Sequence, residues 1–129
     1  MAIGPSNWLI NSQWDAALTG IPFVVNQPYV QFHSADPGSG GTSNIIAIDR
    51  QAAFFERDTD GHWRTAGAPL EVSVDVGTDV TITHISIHDA FSAGNWMINM
   101  VGNQPILVVN GDLLTLSDRI QWTVTDWVS

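Results

Sequence analysis

The chain opens with a single helical pattern. Ser6 is a favoured N-cap residue, and the segment from Asn7 to Leu18 contains neither proline nor glycine, while Gly20 follows where a helix often ends. Apolar residues spaced three or four apart form one stripe along this segment, comprising Ile10, Trp14, Ala17 and Leu18. The pattern predicts an N-terminal helix within residues 1–20 that packs on the rest of the chain through this stripe.

From Ile21 onward the pattern changes to short runs of β-branched and aromatic residues separated by turn residues, without a second helical period. These runs predict strands at 29–34, 51–56, 62–65, 70–75, 80–88, 95–101, 105–109, 112–117 and 120–125. Such regular spacing is typical of a sandwich or barrel. We therefore expect an all-β fold, a β-sandwich of about eight or nine strands over residues 21–129 with one N-terminal α-helix, in a single domain.

Two dipeptides predict tight turns. Asn110-Gly111 lies inside the apolar run 106–115 and predicts a hairpin, because both residues tolerate positive φ. Asp60-Gly61 predicts a second hairpin turn. The oxygen donors of Glu56–Gly61 also resemble the start of a calcium loop, but Gly67 stands where that loop requires a bidentate glutamate, so we expect no calcium site.

His84 and His88 have the spacing of a metal-binding pair on a helix. The residues around them alternate as in a strand, however, and in a strand the two would lie about 13 Å apart, too far for one ion. Ile82 and Ile85 are three residues apart, so the apolar phase changes between them, which indicates a bulge or a strand buried on both faces. We expect a half-buried His84 and structural roles for both histidines.

The remaining candidates for chemistry are weak. The chain has no cysteine, which excludes disulfides and thiol nucleophiles, and its serines lack a Gly-x-Ser-x-Gly setting. His33 and Asp36 are close enough in sequence for an acid–base pair, but a histidine at a strand end is more often structural. Gly38–Gly41 lacks the Lys-Ser/Thr of a phosphate-binding loop. The sequence therefore predicts no catalytic, cofactor-binding or metal-binding residues, and no enzyme activity.

The net charge of −9 arises from 13 acidic residues against four arginines, with no lysine. Such a surface repels a polyanion, so we expect no nucleic-acid partner. No apolar run approaches the roughly 20 residues of a membrane span, and the first residues lack a positively charged leader. These features predict a soluble, unexported chain without a membrane partner.

Six tryptophans are many for 129 residues and indicate a protein that assembles. Trp122 alternates with Ile120 and Val124 as a core residue would. The candidates for partner or subunit contacts are Trp8, Trp14, Trp63, Trp96 and Trp127. Trp63 and Trp96 lie near predicted turns, where exposed indole rings would serve an alternative role in stacking on sugars.

Four segments, in their order, resemble a known family. They read YVQFHSADPG at 29–38, DRQAAF at 49–54, THISIHDA at 83–90 with SAGN at 92–95, and VNGD at 109–112. Together they are similar to the small phage tail-fibre or minor-tail β-sandwich proteins, over residues 5–126. Ser86 and His88 depart from the family pattern, which often has glycine and an aromatic residue there.

The resemblance implies a non-enzymatic bacteriophage virion protein, a minor tail or tail-fibre component that assembles in the host cytoplasm. Its partners would be other phage structural proteins and further copies of itself, with a trimer the natural expectation for a fibre. Two alternatives stay open. One is a capsid decoration protein on the phage head, and the other is a module that binds a glycan receptor on the host surface through Trp63 and Trp96.

Overall fold

A computed structural model describes residues 5–67, 70–116 and 120–124. Within these ranges the chain forms one α-helix, a short 3-10 turn at Ser39–Gly41 and nine strands. The elements are α1 (Asn7–Thr19), β1 (Tyr29–His33), β2 (Gln51–Ala52), β3 (Phe55–Arg57), β4 (Trp63–Thr65), β5 (Leu70–Ser73), β6 (Val80–His88), β7 (Trp96–Val108), β8 (Leu113–Leu116) and β9 (Trp122–Val124). A curled antiparallel sheet has the order β2-β1-β6-β7-β9-β4-β3, and β5 pairs with β8 in a small second sheet. The predicted all-β, sandwich-like fold with one helix is confirmed.

Helix α1 begins and ends as the sequence predicts. The Ser6 hydroxyl accepts a hydrogen bond from the Leu9 amide (3.1 Å). At the other end, Gly20 adopts the left-handed conformation (φ 76°), and its amide donates to the carbonyl of Ala16. A side-chain oxygen at the N-cap and a glycine at the C-cap satisfy groups that would otherwise lack partners.

The predicted packing face of α1 is wrong. Trp14, Ala17 and Leu18 are exposed, whereas Trp8 and Leu9 pack against the core. The helix meets the sheet through its beginning, where the Ser6 amide donates to the Met97 carbonyl (2.7 Å). Because apolar residues occur on several sides of α1, this attachment decides which of them reach the sheet. Only those near the first turn do so.

The centre of the large sheet contains the predicted irregularity. Between β6 and β7, Ile82 pairs with Ile106 and His84 with Val101, so two steps along β6 match five along β7. Residues 102–105 of β7 thus lie opposite the single residue Thr83 of β6 and form a bulge, and the two strands predicted at 95–101 and 105–109 are one. The end of β6 is also buried on both faces. Both interpretations of the phase change are confirmed.

The central strands present two chemically different faces. On one face Val30, Phe32, Ile85, Ile87 and Met100 are buried and belong to a single core cluster. This cluster also contains the inward residues of the small sheet, Val72, Leu114 and Leu116. The intervening residues face the opposite side, because neighbouring side chains of a strand alternate. There the buried residues are polar: His33, Ser86, His88 and Asn99.

The turn at Asn110-Gly111 forms, but the predicted hairpin is wrong. The Asp112 amide donates to the Val109 carbonyl across the turn, and only Gly111 has positive φ (91°). The Asn110 side chain instead accepts hydrogen bonds from the amides of Val76 and Gly77 (2.8 and 2.9 Å). A turn with positive φ only at its third residue does not match the twist of a two-residue hairpin. Strand β8 therefore leaves β7 and pairs with β5.

The turn at Asp60-Gly61 is confirmed as part of a hairpin. It joins β3 to β4, which pair in register from Phe55 with Thr65 to Arg57 with Trp63. One carboxylate oxygen of Asp58 accepts hydrogen bonds from the amides of Asp60 and His62 (2.9 and 3.0 Å). Gly61 provides the positive φ (85°).

Candidate functional site

The most distinctive surface of the protein is apolar and lies at the end of α1 and directly after it. Trp14 and Leu18 stand one helical turn apart on the same side of α1 and are 65% and 79% exposed. Ile21 and Val24 follow in the extended segment and are 70% and 73% exposed. We call these four residues the N-terminal patch. Large exposed apolar side chains grouped along the chain in this way are candidates for contacts with a partner.

The N-terminal patch lies in a nearly uncharged part of the chain. Between Pro5 and Pro28 the only acidic or basic side chain is Asp15. The other 12 acidic residues (13 − 1) and all four arginines lie in residues 29–129. The sequence contained this signal, but the predicted packing of the stripe assigned Trp14 and Leu18 to the core.

An aromatic contact joins the segment after α1 to the beginning of the helix. The ring of Trp8 contacts that of Phe23 edge to face, with centroids 5.6 Å apart. The segment after Gly20 therefore returns along the helix, and the amide of Ile21 donates to the Thr19 hydroxyl (3.4 Å). Trp8 and Phe23 are half-buried, while the patch residues stay exposed. The patch is thus held outward by local packing.

An apolar cleft of about 420 Å³ lies between the start of α1 and the large sheet. Leu9 lines it from the helix, and Phe55, Trp63, Met100 and Val124 line it from the sheet. The guanidinium of Arg57 lies 5.9 Å from the Trp63 ring centre, within the range of a cation–π contact. The cleft has the volume and the lining to hold a large apolar side chain.

The five candidate tryptophans occupy different environments. Trp63 lines the cleft, whereas Trp96 donates through its indole N–H to Asn99 (2.9 Å) on the opposite face of the sheet. Both are half-buried, so they do not form one exposed platform for a sugar. Trp14 belongs to the N-terminal patch and Trp8 faces inward, while Trp127 lies outside the described residues. Trp122 is buried, as predicted.

The polar face of the sheet contains a buried network that the sequence did not reveal. The Ser86 hydroxyl lies 2.7 Å from Nε2 of His33 and 2.8 Å from Nε2 of His88. Nδ1 of His33 contacts the Ser43 carbonyl oxygen (2.8 Å). Sequence alternation placed Ser86 and His88 on one side of β6, but His33 joins them from β1, 53 residues away from Ser86.

The glycine-rich loop covers this network. The Asn99 carboxamide donates to the Gly38 carbonyl (2.8 Å). Gly41 has positive φ (64°), and a methyl group on it would lie 2.9 Å from Cβ of Ser86 and 3.1 Å from Cδ1 of Trp96. Only a glycine fits so close to the sheet. This segment therefore packs against the sheet beside the histidines.

Burial favours the neutral form of the histidines in the network. It lowers the pKa of His88 to about 4, with help from the positive charge of Arg50 and from His33. Burial also lowers the pKa of His33 and of half-buried His84. Ser86 and His33 have the spacing of a nucleophile and its base, but both are fully buried. The predicted structural role of His88 agrees with this geometry, and Nδ1 of His84 contacts only Thr83 (2.8 Å) among the hydrogen bonds described.

Comparison with protein families decides the class of the protein. The family model of the podophage GP4 fiber I protein gp80 matches residues 4–122. The chain belongs to this family. A search of curated proteins found no match. The predicted resemblance to phage tail-fibre proteins is therefore confirmed, and the chain is a structural fibre protein of a bacteriophage.

The match to the fiber I family includes both the N-terminal patch and the buried network. It begins before α1 and ends within β9, so Trp8, Trp14, Trp63 and Trp96 all lie inside the matched range. Trp127 lies beyond it. The contacts assigned to these tryptophans remain predictions. Within the matched range, Trp14 is exposed and available to a partner, whereas Trp8, Trp63 and Trp96 are half-buried.

In this fiber I family member, a group of acidic and histidine side chains lies at the turn between β3 and β4. Atoms of Asp58, Asp60 and His62 lie within 4.8 Å of one another, but the Asp58 carboxylate already holds the turn, and the His62 amide contributes most to lowering its pKa. Exposed acidic groups are often grouped in this way without an ion.

Among the described residues, no helix is long and apolar enough to cross a membrane.

Proposed function

We propose that the protein is a non-enzymatic subunit of a phage tail fibre or minor tail structure, whose copies associate with one another and with other structural proteins of the virion. The observation that carries this proposal is the fiber I family match over residues 4–122. The protein would join the particle during assembly in the host cytoplasm.

Self-association is supported by the surface of the chain. Trp14 and Leu18 expose large side chains although α1 is capped and attached to the sheet. Burying such side chains between copies would stabilise an oligomer by the same effect that stabilises a core. A closed cyclic assembly would suit a fibre, and we expect a trimer as the natural arrangement for that role.

A structural role without catalysis is supported by the position of the two residues that have the spacing of a nucleophile and its base. Ser86 and His33 are fully buried beneath the loop that contains Gly41, so a substrate has no route to the hydroxyl in this conformation. The hydrogen bonds of both side chains instead join β1 to β6 and to the loop. Their arrangement serves the fold.

The two alternative functions receive less support. A capsid decoration protein would use the same acidic β fold, but the family favours a fibre. A glycan-binding module was expected to use Trp63 and Trp96 together, and these lie on opposite faces of the sheet. Replacing both with alanine is expected to leave adsorption of phage to host cells unchanged.

Imaging tests the proposed location directly. Antibodies against the purified chain, conjugated to gold, are added to intact phage particles and viewed by electron microscopy. We expect labels on the tail, and none when the antibodies are first saturated with the purified protein. Labels distributed over the head would contradict the proposal and favour the decoration protein.

A further inference from the structure

We infer that the N-terminal patch is the surface through which copies of this chain contact each other, so that its partner is a second copy of itself. This inference rests on the proposed self-assembly of the fibre protein and names the residues that carry it. Trp14, Leu18, Ile21 and Val24 would form the centre of the contact.

The size of the patch fits such a role. A large aromatic and three aliphatic side chains, each at least 65% exposed, present apolar area on the order of several hundred Å². A stable interface buries about 800 Å² on each partner, with an apolar centre and a polar rim. The patch therefore supplies the centre. Polar neighbours such as Asn11 and Thr19, which are exposed, supply part of the rim.

Charge favours a second copy over a basic partner. The chain has a net charge of −9, so two copies repel each other through most of their surfaces. Residues 5–28 carry only the charge of Asp15, and here two copies can approach with little repulsion. A basic partner, in contrast, would gain nothing from an uncharged surface and would bind the acidic body instead. The neutral patch fits another copy of the same neutral patch.

A second exposed apolar group serves as the comparison. Leu107, Val109 and Leu113 lie near the corner between β7 and β8 and are also exposed. Acidic residues surround this corner, since the Asp79 carboxylate accepts from the Asn110 amide (3.0 Å) and Asp112 lies in the same turn. A self-contact there would bring like charges together. The corner therefore lacks the property that favours self-association at the N-terminal patch.

Matched substitutions test the inference. Leu18→Glu and Leu107→Glu make the same chemical change at leucines of similar exposure, 79% and 67%. Molar mass is measured by light scattering after size-exclusion chromatography over a hundredfold range of concentration, and folding is checked by circular dichroism. Trp14→Gln provides a second, uncharged change in the patch.

We expect an oligomer for the wild type and for Leu107→Glu. For Leu18→Glu and Trp14→Gln we expect folded monomers, or self-association weakened at least tenfold. An oligomer that survives both patch substitutions, or one that is lost equally in Leu107→Glu, would overturn the inference while leaving the fibre role intact. A monomeric wild type at every concentration would overturn both the inference and the self-assembly in the proposed function. The location of the label on the particle tests the fibre role separately.

Discussion

The polar face of the sheet and the N-terminal patch both break the usual rule for where side chains belong. In the first, His33, Ser86 and His88 are buried although they are polar. In the second, Trp14 and Leu18 are exposed although they are apolar. The buried polar groups are paired with one another and with backbone. The apolar groups of the patch have no comparable cover among the described residues.

This difference separates what holds the fold from what is available for assembly. A buried network with paired hydrogen bonds fixes strands and loop in one arrangement, because a polar group left without a partner is costly. An exposed apolar patch contributes little to the stability of a monomer and is stabilised only when a partner covers it. We therefore expect substitutions in the sheet to change folding, and substitutions in the patch to change association.

The largest contrast should come from two tryptophans. Trp122 is buried in the sheet, so Trp122→Ala removes contacts and leaves a cavity, and the free energy of unfolding should fall by about 3–5 kcal/mol. Trp14→Ala on the exposed helix side should change the unfolding free energy of the monomer by less than about 0.5 kcal/mol. Urea denaturation at a protein concentration where the chain is monomeric measures both. Equal losses in the two variants would remove the distinction between the regions.

Acid should weaken the sheet through His88. Its pKa is about 4 in the folded protein, below the ordinary value of 6.5 that applies to the unfolded chain. Between these pH values the unfolded chain binds a proton that the folded chain does not, so the free energy of unfolding falls as the pH drops from 6.5 to about 4. The full shift corresponds to about 3 kcal/mol, and no loss from this group is expected above pH 6.5.

The variant His88→Gln isolates that contribution. Glutamine keeps a side-chain amide near the Ser86 hydroxyl but does not titrate. The slope of unfolding free energy against pH, measured by urea denaturation, should become smaller in the variant. A slope equal to that of the wild type would show that His88 is not protonated differently in the two states.

The loop over the network provides a smaller contrast between two glycines. Gly41→Ala combines positive φ with a methyl group 2.9 Å from Cβ of Ser86, so we expect a loss of about 2–3 kcal/mol. Gly61→Ala has positive φ but nothing within 4 Å, and should cost about 1 kcal/mol. Thermal unfolding of both variants measures the difference. Equal midpoints would indicate that the loop does not pack on the sheet.

The smallest contrast between two paired variants should come from the N-cap of α1. Ser6→Ala removes the acceptor for the Leu9 amide and should cost about 1 kcal/mol, whereas Ser6→Asp keeps an acceptor and should restore most of it. Hydrogen exchange at the first-turn amides gives the local stability of the helix. The Ser6 amide also attaches the start of α1 to the Met97 carbonyl. We therefore expect exchange at the first-turn amides to become faster before exchange in the sheet does.

The sequence was a good guide wherever local chemistry decides the structure. The caps Ser6 and Gly20, the strand Val80–His88 and the bulge indicated by Ile82 and Ile85 all follow from neighbouring residues. It failed where contacts distant in sequence decide. The hairpin at Asn110 was wrong because that side chain binds Val76 and Gly77 instead.

The site shows the same limit. The apolar residues of α1 were recognised, but the sequence alone did not determine which would face the sheet, because the attachment of Ser6 to Met97 spans most of the chain. The buried pair of Ser86 and His33 likewise depends on the pairing of β1 with β6. The spacing of residues within one strand does not predict which distant strand will pair with it. The low charge of residues 5–28 is evident in the sequence and gains its meaning from the exposure of Trp14 and Leu18.

Cross-linking at position 18 tests most directly whether copies meet at the N-terminal patch. The chain has no cysteine, so Leu18→Cys and the control Leu107→Cys each introduce a single thiol. Treated with a short bis-maleimide, Leu18→Cys should give covalently linked pairs of chains within minutes at concentrations where the wild type is oligomeric, and Leu107→Cys should give at least tenfold fewer. Equal yields at the two positions, or linked chains only for Leu107→Cys, would contradict the account.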